Sequence, residues 1–198
     1  ADDALRFTKA LADLGIERKQ IVTIHHPHFY IEWLLTIACE NLGAVSVSDD
    51  ARNWKQLDYL YQHVDVGLTN TPAEEEPSFQ YHCLTNDWVR ATLQMELAVA
   101  QKQPVIVPEL DDLVRIGRSS GATGVPKLIP MTRGSLEHRV EMELIKGDLL
   151  SSSKILIIGT TFVLYGIVAQ CQACVKIGAA VVRVSNNYQA LRCYDTIS

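Results

Sequence analysis

The sequence is short of several things that would place it quickly. It has no basic run, and its 18 Lys and Arg are outnumbered by 23 Asp and Glu, giving a net charge of −5. That balance argues against a nucleic-acid partner or an anionic membrane surface, since each needs a basic patch. The N-terminus, Ala1-Asp2-Asp3, lacks the charged-then-apolar pattern of a secretory signal. The longest apolar stretch, residues 162–182, is interrupted by Gln170, Gln172, Lys176 and Gly178, so it reads as a buried helix and a strand rather than a membrane span. There is no internal repeat, no low-complexity tract and no long linker. The five cysteines are odd in number and irregularly spaced, which suits reduced thiols in a cytoplasmic compartment. Cys171 and Cys174 form the one close pair. No second pair completes a four-ligand metal set, so both read as core.

What is present is alternation. Ala4, Phe7, Leu11 and Leu14 recur at helical spacing, and Gly15 sits where a helix C-cap belongs. Residues 21–24 read as a buried strand, 29–42 as a helix with Trp33 and Ile37 on one face, and 44–47 as the next strand. Asp49 or Asp50 is placed to cap a helix running to residue 61, and 64–68 returns as strand. The segment 72–77 is an acidic loop. Asn86 or Asp87 opens a helix to residue 101, followed by strands at 104–107 and 113–116. A helix starts at Thr132 or Ser135 and runs to 145. Residues 155–158 are a strand, a helix leads to Gly178, 179–184 is the last strand, and a short helix covers 188–197. Repeated strand–helix units predict an α/β fold, a largely parallel sheet layered with helices.

One loop carries the chemistry. Ile116-Gly-Arg-Ser-Ser-Gly-Ala-Thr-Gly-Val-Pro-Lys127 combines three glycines, three hydroxyls and a lysine behind an apolar strand. Glycines let the backbone approach an anion closely, and successive amides, hydroxyls and an ammonium can surround a polyphosphate. The bland alternative is a Gly/Ser surface turn. A Walker A loop is excluded where it matters: Val125 and Pro126 separate Gly124 from Lys127, and Leu128 stands where a hydroxyl must hold Mg²⁺. Gly117-Arg-Ser-Ser-Gly121 satisfies G-x-S-x-G. The acid and histidine that a hydrolase needs downstream reduce to the neighbours Glu137 and His138, and Gly121, Gly124 and Pro126 oppose the helix that must follow.

Ser119-Ser-Gly-Ala-Thr-Gly-Val-Pro-Lys127 resembles the S-G-T-T-G-x-P-K loop of the adenylate-forming superfamily, which includes acyl-CoA synthetases, peptide-synthetase adenylation domains and luciferases. The flanks resemble it too: Ala10-Leu-Ala-Asp-Leu-Gly-Ile16, Asn41-Leu-Gly-Ala-Val45, Asp111-Asp-Leu-Val-Arg-Ile116, Phe162-Val-Leu-Tyr-Gly166 and Ile177-Gly-Ala-Ala-Val-Val182 follow the family's order. The resemblance implies that residues 1–198 are part of the family's N-terminal domain, with the phosphate loop at 117–127 and the C-terminal lid absent. It implies an ATP-dependent ligase that forms an acyl-adenylate and pyrophosphate, with Mg²⁺ accompanying ATP, a small carboxylic acid as substrate, and CoA or a carrier-protein thiol as acceptor. Ser119, Ser120, Gly121, Thr123, Gly124 and Lys127 would be the nucleotide-binding residues. Phe162, Val163 and Gly166 would border the acyl pocket.

The departures are specific. Ala122 replaces a hydroxyl, Arg118 stands where threonine or serine is usual, and Val163 replaces a frequent histidine. The family's later Y-G-x-T-E and T-G-D motifs and its terminal catalytic lysine have no counterpart here; Tyr165-Gly166 is followed by Ile-Val-Ala. The alternative reading is therefore a degenerate or truncated nucleotide-binding module without turnover. Pro126-Lys-Leu-Ile-Pro130 and Thr132 resemble the P-K-L-I-P-R-T of aryl-acid-activating members, with Met131 in place of the arginine. The remaining candidates are weaker. His25-His-Pro-His28 invites a metal, but adjacent histidines point apart on an extended chain. Glu137, Glu141 and Glu143 form a solvated helix face, and Trp33, Trp54 and Trp88 read as core.

Overall fold

The computed structural model describes residues 2–49, 60, 62–72, 78–118, 127–158 and 170–184. The chain divides into two compact units: Ala1–Gly117 with Leu128–Arg133, and Arg118–Lys127 with Gly134–Ser198.

The first unit is built on a six-stranded sheet. Its strands are β1 (Ile21–His25), β2 (Val45–Ser48), β3 (Val66–Thr69), β4 (Gln80–Cys83), β5 (Leu113–Arg118) and β6 (Leu128–Thr132), in the spatial order β4-β3-β1-β2-β5-β6. The pairs β1/β2, β1/β3, β2/β5 and β3/β4 are all parallel, as the alternating sequence predicts. The helices of this unit are α1 (Asp2–Asp13), α2 (Phe29–Asn41), α3 (Asn86–Gln94) and α4 (Leu97–Ala100).

Period-two alternation divides the strand residues between two faces. Val22, Ile24, Val66 and Leu68 pack with Phe7 and Leu11 of α1 and with Leu34, Leu35 and Ala38 of α2 in the main core. On the other face Val47, Leu60 and Val64 form a smaller cluster with Ile21, Phe79, Ile116 and Leu128 against it. Full burial of one aliphatic side chain is worth about 1.5–3 kcal/mol, so α1 and α2 are held mainly by these contacts. Phe7 and Trp88 meet edge to face, with ring centroids 5.8 Å apart.

Helix ends follow the expected glycines. After α2 the chain turns at Gly43, φ 69°, and the Ala44 amide donates back to the Cys39 carbonyl at 2.9 Å. That bond spans the last turn and satisfies a carbonyl the helix leaves open. α3 is capped by Thr85, whose hydroxyl accepts from the Trp88 amide at 3.2 Å, one residue before the expected cap.

Several expectations need correction. The helix predicted for 86–101 is broken at Met95–Glu96 into α3 and α4. Residues 104–107 are not a strand: prolines at 104 and 108 remove two donors, and Ile106 instead donates to the Asn41 carbonyl at 2.8 Å, while Val107 is exposed. β4 and β6 are strands the sequence reading did not assign. On α2 Ile31, Leu34, Leu35, Ala38 and Cys39 are the buried apolar positions, whereas Trp33 and Ile37 are half-buried. The helix expected before residue 61, Trp54 and the helix at 188–197 lie outside the described residues.

The second unit holds β7 (Lys154–Ile158) and β8 (Ala180–Val184), a parallel pair, with α5 (Arg133–Gly147) and α6 (Gln172–Ile177). Arg133, the first residue of α5, belongs to the first unit. α6 ends at Gly178, where the Ala179 amide returns to the Cys174 carbonyl at 2.9 Å. Lys176 of α6 pairs with Glu141 of α5 at 3.5 Å, so Glu141 lies on a solvated helix face as expected. Cys171 and Cys174 are buried free thiols, consistent with a packing role.

Candidate functional site

In an open parallel sheet, ligands gather beyond the C-terminal ends of the strands, where the connections fan out. β5 ends at Arg118 at that edge, and Ser119, Ser120, Gly121, Thr123 and Gly124 follow it in sequence. These five residues lie outside the described residues, as do Phe162, Val163 and Gly166. Lys127 is described: it is exposed and immediately precedes β6.

The strand that feeds the segment is anchored by a buried charge. Arg115 lies on β5 in register with Ser46 of β2, and its side chain is buried. Its guanidinium donates to Ser46 Oγ at 3.2 Å and Ser48 Oγ at 2.5 Å. Burial lowers its pKa to about 10, opposed by the nearby carboxylate of Glu32 and by Glu40. Glu32 is itself buried on α2. One end of the same helix is tied again where Arg133, at the junction of β6 and α5, pairs with Glu40. Desolvating such charges costs several kcal/mol per ion, which hydrogen bonds and opposite charge must offset. The sequence contained the signal. Arg115 interrupts the apolar run Leu113-Val-Arg-Ile116, and Glu32 interrupts Tyr30-Ile-Glu-Trp-Leu-Leu35.

His26, just past β1 at the same edge, is also buried. Its Nδ1 faces the backbone of His28, 3.0 Å from the amide and 3.3 Å from the carbonyl oxygen. The buried Nε2 has no hydrogen-bond partner among the described residues. Burial depresses the pKa of this imidazole below 6.5. His25 belongs to β1, and among the described residues no three His, Cys, Asp or Glu side chains gather to hold a metal. Neighbouring polar groups stitch the edge together: Thr71 donates its amide to Thr69 Oγ1 at 3.3 Å, and Tyr81 donates its hydroxyl to the Thr71 carbonyl.

The sequence model of the AMP-binding enzyme family matches residues 1–198. The chain belongs to that family. No curated protein matches it. Its fold resembles that of ATP-bound MatB from Rhodopseudomonas palustris, with a TM-score of 0.77 and 15% identity over 93% of this chain and 39% of MatB. A MenE o-succinylbenzoate CoA synthetase double mutant from Bacillus subtilis, bound to a product analogue, gives a TM-score of 0.77 and 16% identity over 98% of this chain and 40% of MenE. The N-terminal subdomain of Klebsiella oxytoca NpsA, in complex with anthranilyl-AMSN, gives a TM-score of 0.69 and 15% identity over 93% of this chain and 46% of the other. The chain thus spans about two fifths of the length of the first two. The parallel α/β sheet is the fold of these adenylate-forming relatives. Among the described residues no helix is long and apolar enough to cross a membrane.

Proposed function

We propose that residues 1–198 are part of the N-terminal domain of an AMP-forming carboxylate ligase and contribute its phosphate-binding loop. The observation that carries this reading is the segment Ser119–Lys127, set directly behind a parallel strand in a chain of the AMP-binding family. In the reaction, a carboxylate oxygen attacks the α-phosphorus of ATP. A C–O–P linkage forms, the bond to the β-phosphate bridging oxygen breaks, and pyrophosphate leaves with the electron pair. Ser119, Ser120 and Thr123 would donate hydroxyl hydrogens to the phosphates, and the amides of Gly121 and Gly124 would approach them closely. Lys127 would neutralise charge growing on the departing pyrophosphate.

The donor set of 117–127 contains no carboxylate, so it suits the anion rather than a cation. Mg²⁺, when bound, would come with ATP on its phosphate oxygens and supply further charge neutralisation there. The MenE and NpsA complexes carry an o-succinylbenzoate and an anthranilyl compound. Together with Pro126-Lys-Leu-Ile-Pro130, they favour an aryl or other compact acid over a long acyl chain. A thiol acceptor, CoA or a carrier protein, and a cytoplasmic setting complete the reading.

Carboxylate-dependent exchange of pyrophosphate into ATP by the intact polypeptide tests it. Exchange stimulated by benzoates is expected, and none across a broad acid panel would refute the ligase. Ala122, which removes a hydroxyl from the loop, favours the second reading, a nucleotide-binding module without turnover. That module would bind ATP with ordinary affinity yet show no exchange.

A further inference from the structure

Lys19 adopts φ 68°, one of two non-glycine residues with positive φ among those described. It sits in the turn Glu17–Gln20, closed by the Gln20 amide donating to the Glu17 carbonyl and the Glu17 amide donating to Gln20 Oε1 at 2.8 Å. A positive φ at the third position of a turn favours glycine or asparagine, and a lysine there is strained. The turn is held against the lead into β2, because the Lys19 amide donates to the Gly43 carbonyl at 2.8 Å. The Lys19 side chain is exposed and has no ion-pair partner among the described residues.

The lysine borders a cavity of about 250 Å³ at the N-terminal edge of the sheet, opposite the edge where β5 ends at Arg118. Ile21, Val45 and Leu113, the first residues of β1, β2 and β5, form its walls with Val114 and Pro108. Two backbone amides along these walls are already engaged. Ile21 donates its amide to Asp65 Oδ2 at 2.7 Å, and Val45 donates to the Gln20 carbonyl at 2.8 Å. Charge is confined to the rim, where Arg18 stands 3.7 Å from Asp112 and Lys19 adds a second cation. Two cations and one carboxylate leave a formal rim charge of +1.

An apolar chamber with one net positive charge at its mouth selects an occupant of matching design. A dry cavity of about 150 Å³ holds benzene, so this one has room for a ring and a carboxylate. Inorganic phosphate is a poorer fit, because the aliphatic walls would desolvate it without returning hydrogen bonds. We propose that this cavity is a second small-molecule site, taking a monocarboxylate with a compact apolar body, its carboxylate on Arg18 and Lys19 and its body against Ile21, Val45 and Val114. The site goes beyond the ligase reading, since it uses none of the residues assigned there.

Calorimetric titration of the intact polypeptide with sodium benzoate, inorganic phosphate and cyclohexylammonium chloride tests the assignment. The decisive variant is Lys19→Gly, which relieves the turn and so keeps the protein folded while removing the charge. Benzoate bound in an acyl pocket elsewhere is untouched by this change, so the difference between the two proteins isolates the rim. Benzoate is expected to bind the wild type with at least tenfold higher affinity than the variant, with phosphate and the ammonium ion weaker. Equal benzoate affinities in the two proteins, no benzoate binding to the wild type, or phosphate binding as tightly as benzoate would each overturn it.

Discussion

Arg115 reaches from β5 to Ser46 on β2, its guanidinium 3.2 Å from the hydroxyl, and so bolts the strand that precedes the proposed phosphate loop to the inner sheet. Replacing it with methionine removes the cation whose charge offsets that of the buried Glu32 carboxylate. Breaking a buried charge pair by deleting one member costs about 3–5 kcal/mol. Urea denaturation of Arg115→Met should show a loss of that size, with Arg115→Lys intermediate because the charge survives without its fork.

His26 makes stability depend on pH. Its folded pKa lies below the ordinary 6.5, so in mild acid the unfolded chain binds a proton that the folded one refuses. Its contribution is complete above pH 6.5 and is lost as pH falls from there towards the folded value. Burial shifts His82 the same way. Thermal denaturation between pH 7.5 and 5 should show a falling melting temperature, and His26→Asn should flatten that slope. An unchanged slope would remove His26 as its source.

Lys127→Ala tests the loop. Charge-assisted hydrogen bonds to phosphate contribute about 1.5–3 kcal/mol, so ATP or pyrophosphate affinity should drop roughly ten- to hundredfold. Removing a solvated surface lysine instead leaves binding unchanged and stability within about 0.5 kcal/mol. Calorimetry on equally folded proteins separates the two.

The cysteines should be quiet. Burial pushes the thiols of Cys39 and Cys171 up to about 12 and raises that of Cys174. Only the thiolate is nucleophilic, so these three should resist a disulfide reagent at pH 8 until the protein is unfolded. Mass mapping of labelled peptides reads this directly, and rapid labelling of Cys39 in the native state would contradict the packing described.

The sheet was legible because its signals are local. Apolar strands bounded by glycine-ended helices, as at Gly15, Gly43 and Gly178, announce their own limits. Residues 104–107 misled because Val105, Ile106 and Val107 have strand-like composition, while the flanking prolines withhold the donors a ladder needs. β4, Gln80-Tyr-His-Cys83, is a polar edge strand with half-exposed side chains, so no apolar run marked it. At the site, the loop residues could be read by type and spacing alone. Arg115 and Glu32 showed only as charges interrupting apolar runs, and their relation to each other, across 83 positions, arises only when α2 covers the sheet. Lys19 was hidden for another reason: nothing in Glu17-Arg-Lys-Gln20 says that the lysine takes the backbone angle of a glycine.

The strand order also has a consequence for synthesis. β1, β2, β3 and β4 all lie within the first 83 residues and pair with one another, whereas Arg115 meets Ser46 across 69 positions. Closing that longer loop carries the larger entropic cost, and domains emerge from the ribosome N-terminus first. A four-stranded core can therefore assemble while β2 still presents an open edge to solvent. Until β5 arrives, that edge is the one a chaperone would have to guard, and a stalled or truncated chain would be most prone to self-association there.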